Sequence, residues 1–497
     1  MLFTTLATIC VALLWRVNAV LAVDFAVPSS PPTQANPVDP SLVSVSIEFF
    51  TLPGYTQIEA TTNCLANLAE LRGVPPAVRI GGTTQDRATY DPTLTSAVNY
   101  TVASPADAPA SLTYGPPFFT LAGQLQGDVT LGLNRQLNNQ AASLAAAVQA
   151  KKSMSNLFAF ELGNEPEFYA SNSPIIPKGQ TWNQDTDAVG NMFQGAVYLS
   201  WSAGGLLSRI GTDGARFLKS ISRHSYPQSA CGGASTNLPS LMSHSGIVSY
   251  TRQYKAEAAA THTAGLRYFL GETNSATCGG GGISPTFGAA LWIVDYVLQA
   301  ALNGVDRLYF HQGTISNCVG LAFYLHLKRR SDLLVRHGNQ AYCFWGSSSV
   351  FAPYYGAAFV SDFLGKDNNA KLVMLDNGTS SLAAYALYSS TTNAPLRLLV
   401  INSNYFDGTS ATTPRSTATL RFTGLPASTT TQPKAKRMTA PSAVATSNVT
   451  IARSPAFNSS SCATNGVPPA ILEQLQRAAD GSLSVNILAS EAVILLL

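Results

Sequence analysis

The apolar and polar positions fall into two textures along the chain. In the first, short and largely apolar runs cover residues 42–50, 77–82, 128–134, 157–162, 194–201, 217–224, 266–270 and 307–311, as strands buried on both faces require. Helical stretches lie between several of them, among them 141–151, 249–260 and 287–303. That βα repetition predicts an α/β fold, a (β/α)8 TIM barrel over residues 42–353. From about residue 354 the texture changes to short alternating runs, such as 371–375, 381–387, 396–402, 418–422 and 493–497. Clusters of Gly, Pro, Ser, Thr and Asn separate them at hairpin spacing, which predicts a β-sandwich domain over 354–497. Residues 23–40 are rich in Pro and Ser behind a short apolar start, and read either as a linker or as an edge strand lent to another domain.

The beginning of the chain changes the picture. Residues 1–15 form an apolar run too short to span a bilayer, followed by Arg16 and the small-residue site at 20–22. A secretory signal over 1–22, an extracellular protein and no membrane attachment after cleavage are the expectation. Only 11% of residues are charged and the net charge is +3, so no basic field is present to hold nucleic acid. Of the seven cysteines, Cys10 leaves with the signal, and the six that remain favour disulfides in a secreted chain. Spacing leaves open the fifteen pairings that six cysteines allow. None forms Cys-x-x-Cys, which argues against a zinc site. Asn99, Asn377, Asn448 and Asn458 each begin a glycosylation sequon.

Candidate chemistry sits where the apolar strands stop. The run 157–166 ends on Glu165 and the run 267–274 carries Glu272 at the matching place. A retaining glycosidase holds one carboxylate as nucleophile and one protonated carboxyl as general acid, about 5 to 5.5 Å apart. Strand ends of a barrel converge on one face, so acids distant in sequence meet there. The acid needs a partly desolvated place near the other's charge, and the nucleophile needs donors such as Tyr226 and Arg79 to stay ionised. Glu48, Asn134, Asn164, His224, His311 and Gln312 are expected on the same face, with Asp86 facing the site behind the Gly81-Gly82 turn. No metal constellation or nucleotide-binding loop occurs, and this chemistry needs no cofactor.

These residues also form a recognisable ordered set. Ser46-Ile-Glu48, Arg79-Ile-Gly-Gly-Thr83, Gly163-Asn-Glu-Pro166, His224-Ser-Tyr-Pro227, Gly271-Glu-Thr-Asn-Ser275 and His311-Gln-Gly-Thr314 resemble the pattern of glycoside hydrolase family 79. That family contains β-glucuronidases and heparanases, and the likeness, over residues 44–365, is to its secreted fungal glucuronidase branch. The resemblance implies a barrel plus a sandwich into which residues 23–41 also fold. It implies retention, with Glu165 as acid/base, Glu272 as nucleophile, Asn164 on the sugar 2-hydroxyl and Tyr226 holding the nucleophile. Glu48, Arg79 and His311 are expected to contact substrate as well. The glycine loop 275–282, through Gly279 and Gly280, and Tyr342 from beyond the eighth strand are the expected clamp for a uronic acid carboxylate, since backbone N–H groups ahead of a helix receive anions. The implied partner is a glycan containing glucuronic acid, with or without a 4-O-methyl group. Two alternatives stand beside this: an endo-acting, heparanase-like enzyme with a basic rim, and a non-catalytic carbohydrate-binding or wall protein.

One stretch departs from the pattern. Residues 319–340, with the basic run Lys328-Arg-Arg330, separate Cys318 from the aromatic segment 341–346 that the pattern places almost directly after it. Every Val codon begins with GT and one Gln codon ends in AG, so both ends fit splice signals. A retained intron translated in frame is the expectation, against a genuine surface loop.

Overall fold

The computed structural model describes residues 22–35, 37–189, 197–318, 342–409, 414–426 and 432–497. The expected signal, but for its last residue, and the 319–340 stretch lie outside the described residues. Among the described residues eight strands form the sheet of the first half: β1 (Val43–Glu48), β2 (Val78–Gly81), β3 (Val129–Leu133), β4 (Leu157–Leu162), β5 (Val197–Tyr198), β6 (Ser220–Ser225), β7 (Arg267–Thr273) and β8 (Arg307–Gln312). All neighbouring pairs are parallel, in the order 4-3-2-1-8-7-6-5. Among the described residues β4 and β5 share no ladder, and the ring is joined there by the Glu165 N–H donating to the Val197 carbonyl at 2.9 Å. The expected fifth strand, 194–201, is reduced in the described residues to Val197–Tyr198; 194–196 fall outside them.

Helices cover the barrel, among them Glu59–Arg72, Gln140–Ser153, Ala203–Ala215, Tyr254–Thr263, Phe287–Leu302 and Ala352–Leu364. Phe287–Leu302 is apolar nearly all round and buried along almost its whole length, because the barrel lies on one side and the C-terminal sheets on the other. Its first turn is capped by Thr286, whose hydroxyl accepts from the Ala289 N–H. Ala352–Leu364 packs against it and against Glu59–Arg72. The 353/354 boundary drawn from the sequence therefore falls inside a barrel helix. That helix is too uniformly apolar to announce itself by a polar face.

The C-terminal sheets form a sandwich with a reason for its alternation. One sheet runs in the order Lys371–Met374, Leu382–Tyr388, Pro395–Asn402, Glu491–Leu496, Lys434–Thr439 and Thr450–Ile451, with antiparallel pairs throughout. The other has Thr417–Thr423 between Leu483–Leu488 and the early strand Val23–Ala26, the last pairing parallel. Along Leu382–Tyr388, Leu382, Ala384, Ala386 and Tyr388 face the small sheet, packing with Phe25, Leu420, Phe422 and Val485. Ala383, Tyr385 and Leu387 face the barrel helices instead. The main sheet is thus buried on both faces. Among the described residues three disulfides tie the structure: Cys64–Cys462 joins the two halves, Cys231–Cys278 joins the β6 and β7 loops, and Cys318–Cys343 lies beyond β8. No helix among the described residues is long and apolar enough to cross a membrane.

Candidate active site

The site begins with a bulge. Arg223 of β6 pairs with Leu270 of β7 but His224 pairs with Glu272, so Gly271 is an extra residue that turns Glu272 toward the barrel mouth. A Cβ at Gly271 would run into the Ser222 hydroxyl, so a larger residue there requires that side chain to turn away. Glu272 is 9% exposed and is gripped from three sides. Arg79 Nη1 donates to Oε2 at 2.8 Å, the Tyr226 hydroxyl donates to Oε1 at 2.6 Å, and His311 Nδ1 lies 3.7 Å from Oε2. Burial alone would push this carboxyl up; the charges of His311, His224 and Arg79 and the Tyr226 hydrogen bond outweigh it and hold the group well below the usual carboxylate range. Tyr226 is itself pushed up, first by burial and then by Glu272, so it stays a protonated donor.

Glu165 sits in different surroundings. Its backbone is left-handed, φ 46° and ψ 59°, at the turn from β4 into the short helix Pro166–Phe168, a conformation costing a non-glycine residue on the order of 1 kcal/mol. The bond to Val197 and a bond from the Phe168 N–H to the Glu165 carbonyl, both 2.9 Å, hold it there. The side chain is 21% exposed, and Oε1 lies 2.8 Å from Nδ1 of the fully buried His224. Nε2 of that ring has no partner among the described residues, so its contact with Glu165 is made through Nδ1 alone. One oxygen each of Glu165 and Glu272 and a nitrogen of His224 lie within 4.8 Å of one another. This is also the grouping of the described residues that offers three donor atoms to a metal ion.

Other expected residues are placed as follows. Arg79 does not face the cleft. It is 1% exposed, and its nitrogens are engaged by Glu161 at 2.6 Å, Glu272 at 2.8 Å, Asn164 Oδ1 at 2.8 Å and Ser46 at 3.1 Å. It orients carboxylates rather than reaching substrate, because a guanidinium with five donors is filled by the acids around it. Asn164 is 7% exposed, and its amide NH2 has no protein acceptor among the described residues. Glu48 accepts from the Thr84 backbone at 2.9 Å and lies 3.4 Å from His311 Nε2. His311 is pulled down by burial but raised more by Glu272 and Glu48, so its cationic form is favoured. Tyr342 is pushed far up, first by burial, then by Glu272, Glu48 and Glu165, and keeps its proton. Gly279 lines the side cavity described below, whereas the Gly280 N–H closes a turn by donating to the Thr277 carbonyl at 3.3 Å. Asp86 turns away from the cleft. It accepts from the backbones of Asn164 at 2.7 Å and Arg135 at 2.9 Å and from the Tyr169 hydroxyl at 2.7 Å, and so ties three loops together. Asn134 and Gln312 bond to neighbouring backbone.

Sequence reasoning missed Glu161. It lies inside β4, 1% exposed, with its carboxylate forked onto Arg79. The available signal was a lone acid in the apolar run 157–162, which in a chain with 11% charge implies a buried partner.

Two connected spaces open above these groups. A cleft of about 710 Å³ is lined by both acids, His224, Tyr226, Tyr250, Phe168 and Leu199. A side cavity of about 290 Å³ shares Glu48, Thr83, Cys278, His311 and Tyr342 with it and adds Arg87, Gly279, Thr314 and Asn317. The pair of carboxylates, one clamped and ionised, one partly exposed on a histidine, is an arrangement suited to double displacement at an acetal.

A model of the glycosyl hydrolase family 79 C-terminal beta domain matches residues 384–494. A β-glucuronidase of Aspergillus niger is 30% identical over 425 residues, spanning 77% of this chain and 75% of that protein. A β-glucuronidase of Neurospora crassa is 28% identical over 494 residues, spanning 83% and 81%. Among solved structures, a 4-O-α-L-rhamnosyl-β-D-glucuronidase from Fusarium oxysporum 12S, in its Rha-GlcA complex, superposes with a TM-score of 0.84 at 37% identity, covering 96% of this chain and 100% of that one. Likeness to a family 51 arabinofuranosidase of Bifidobacterium longum, 12% identical with a TM-score of 0.55, concerns the fold alone. The ordered motifs, the matched domain and this extent of likeness place the chain in one family: it belongs to glycoside hydrolase family 79.

Proposed function

We propose that this protein is a secreted, retaining exo-β-glucuronidase that releases terminal glucuronic acid from extracellular or plant glycans. The observation that carries the reading is the approach of Glu165 and Glu272 to within 4.8 Å, in environments that separate their roles. Glu272, held ionised, attacks the anomeric carbon while Glu165 protonates the departing oxygen, giving a glycosyl-enzyme ester. Glu165 then takes a proton from water, which attacks that ester with overall retention. Asn164 binds the 2-hydroxyl, a contact that strengthens as positive charge develops on the ring.

The uronate carboxylate is taken by the Tyr342 hydroxyl and the Gly279 N–H, with cationic His311 beneath. The side cavity lies on the Tyr342 side, away from Glu165, and therefore faces O4 of a sugar whose C1 is between the acids. It supports acceptance of an O4 substituent, methyl or larger. Secretion is supported by the three disulfides and by the exposure of Asn99, Asn377, Asn448 and Asn458.

Release of aglycone from an aryl β-D-glucuronide, with the matching β-glucoside as control, tests the reading. The expected result is turnover of the glucuronide alone, lost in Glu272→Gln. Turnover of neither would reject it in favour of an endo-acting or non-catalytic role, and persistence in Glu272→Gln would reject Glu272 as the nucleophile.

A further inference from the structure

Two cations lean on Oε2 of Glu272, and each has a second carboxylate behind it. His311 lies 3.7 Å from that oxygen through Nδ1 and 3.4 Å from Glu48 through Nε2. Arg79 donates to the same oxygen through Nη1, and its Nη2 and Nε donate to Glu161 at 2.6 and 2.9 Å. Glu161 lies inside β4, four residues ahead of Glu165 and 1% exposed, and it lines neither the cleft nor the side cavity. The chemistry above gives it no part. Among the described residues Glu161 and Glu272 are the carboxylates that pair with Arg79. Burial pulls the guanidinium down, and Glu161, then Glu272, outweigh it and raise it.

Double displacement disturbs this balance. When an oxygen of Glu272 bonds to the anomeric carbon, the bond from that carbon to the leaving group breaks with its electron pair. In a glycoside the leaving oxygen takes its proton from Glu165, so the negative charge passes from Glu272 to Glu165. Glu272 is then a neutral ester. A guanidinium that is 1% exposed cannot turn to water for compensation, and arginine does not give up its proton. Left alone it would also repel the positive charge that the sugar ring carries in both transition states. Glu161 supplies the missing charge before, during and after the ester. By filling Nε and Nη2 it fixes the plane of the guanidinium as well, which keeps Nη1 on Glu272 and Nη2 on Asn164 Oδ1, each at 2.8 Å.

We propose that Glu161 is a positioning residue of the reaction, the standing counterion of Arg79 that lets the nucleophile give up its charge to the anomeric carbon. This rests on the β-glucuronidase reading and deepens it. The probe is 2-deoxy-2-fluoro-β-D-glucuronosyl fluoride, whose fluoride leaves with the C1–F electron pair as the ester forms. Water then opens the ester, the C1–O pair returning to Glu272 and a water proton passing to Glu165. The fluorine at C2 slows both steps and the good leaving group restores the first, so labelling and reactivation are timed separately. With no 2-hydroxyl on the probe, the Asn164 contact drops out of the comparison.

The wild-type protein is expected to take up label on Glu272. In Glu161→Gln, which keeps the shape and loses the charge, the labelling rate constant is expected to fall on the order of 100-fold while reactivation is not slowed. Glu161→Asp, which keeps the charge one methylene further back, is expected to lose only a few-fold in the same ratio of labelling to reactivation. A merely structural defect lowers the fraction of molecules that take up label and leaves that ratio where it was. An unchanged ratio in whichever variant folds, or an Asp variant slowed as much as the Gln variant, overturns the proposal while leaving the glucuronidase reading intact. A wild-type protein that neither takes up label on Glu272 nor cleaves an aryl β-D-glucuronide overturns that reading, and the role of Glu161 with it.

Discussion

Two buried clusters in this molecule share a plan, one cation held between two carboxylates. In the barrel, Arg79 lies between Glu161 and Glu272. At the joint between barrel and sandwich, fully buried His244 lies between Asp295 at 2.8 Å and Asp376 at 3.0 Å, and the Tyr385 hydroxyl donates to Asp295. The cations differ in kind. Arginine keeps its charge at any pH a protein survives, whereas histidine holds its charge only while its neighbours favour it. Burial pulls His244 down, but the two aspartates outweigh it and push it up to about 10. The Arg79 cluster is therefore built on a charge that does not titrate, and the joint on one that does.

The sharpest way to break the comparison is at Arg79. Arg79→Lys keeps a positive charge but loses the fork that serves Glu161, Glu272, Asn164 and Ser46 together. kcat/KM on an aryl glucuronide is expected to fall about 100- to 1000-fold. A near-normal rate would mean that charge alone suffices. His244→Gln leaves Asp295 and Asp376 facing each other without a cation, so unfolding by denaturant is expected to become easier by about 3 kcal/mol at neutral pH. Activity per folded molecule should hold, since the ring is remote from the cleft.

The pH dependence of stability sharpens the same contrast. The folded pKa of His244 is raised from 6.5, so its contribution is complete below about pH 6.5 and drains away as pH climbs toward 10, by at most about 1.4 kcal/mol per unit. Asp376 is lowered from 3.8: burial opposes this, but His244 and the backbone N–H groups of Ala384 and Gly378 prevail. Its contribution is present above that value and is lost as pH falls. Thermal melts across this range should lose their alkaline slope in His244→Gln, and a slope that survives would assign it elsewhere. The smallest effect is at Tyr385→Phe, which removes one donor to Asp295 and is expected to cost about 1 kcal/mol in the same melts.

Both clusters left the same trace in the sequence. Glu161 stands within the apolar strand Leu157–Leu162, and Asp295 within the apolar helix Phe287–Leu302. Each announces a buried partner without naming it, because Arg79 and His244 arrive from distant elements. The barrel was legible because strands buried on both faces read as continuous apolar runs. β5 was legible only in part, being a two-residue strand with no ladder to β4 among the described residues. Glu165 and Glu272 stood out as strand-end acids. The inward turn of Arg79, the outward role of Asp86 and the engaged N–H of Gly280 depend on contacts between loops that no local pattern encodes.

The early strand Val23–Ala26 has a consequence for the order of events during synthesis. It completes the small sheet by pairing with Thr417–Thr423, and Asp24 meets Arg421 across 397 positions. The intervening barrel emerges from the ribosome first, so this segment waits, unpaired, until nearly the whole chain exists. The Cys64–Cys462 bond, separated by 398 positions, must wait as long. The two ends are thus latched late, and a fusion partner placed directly ahead of Val23 would load the last step of folding rather than the first.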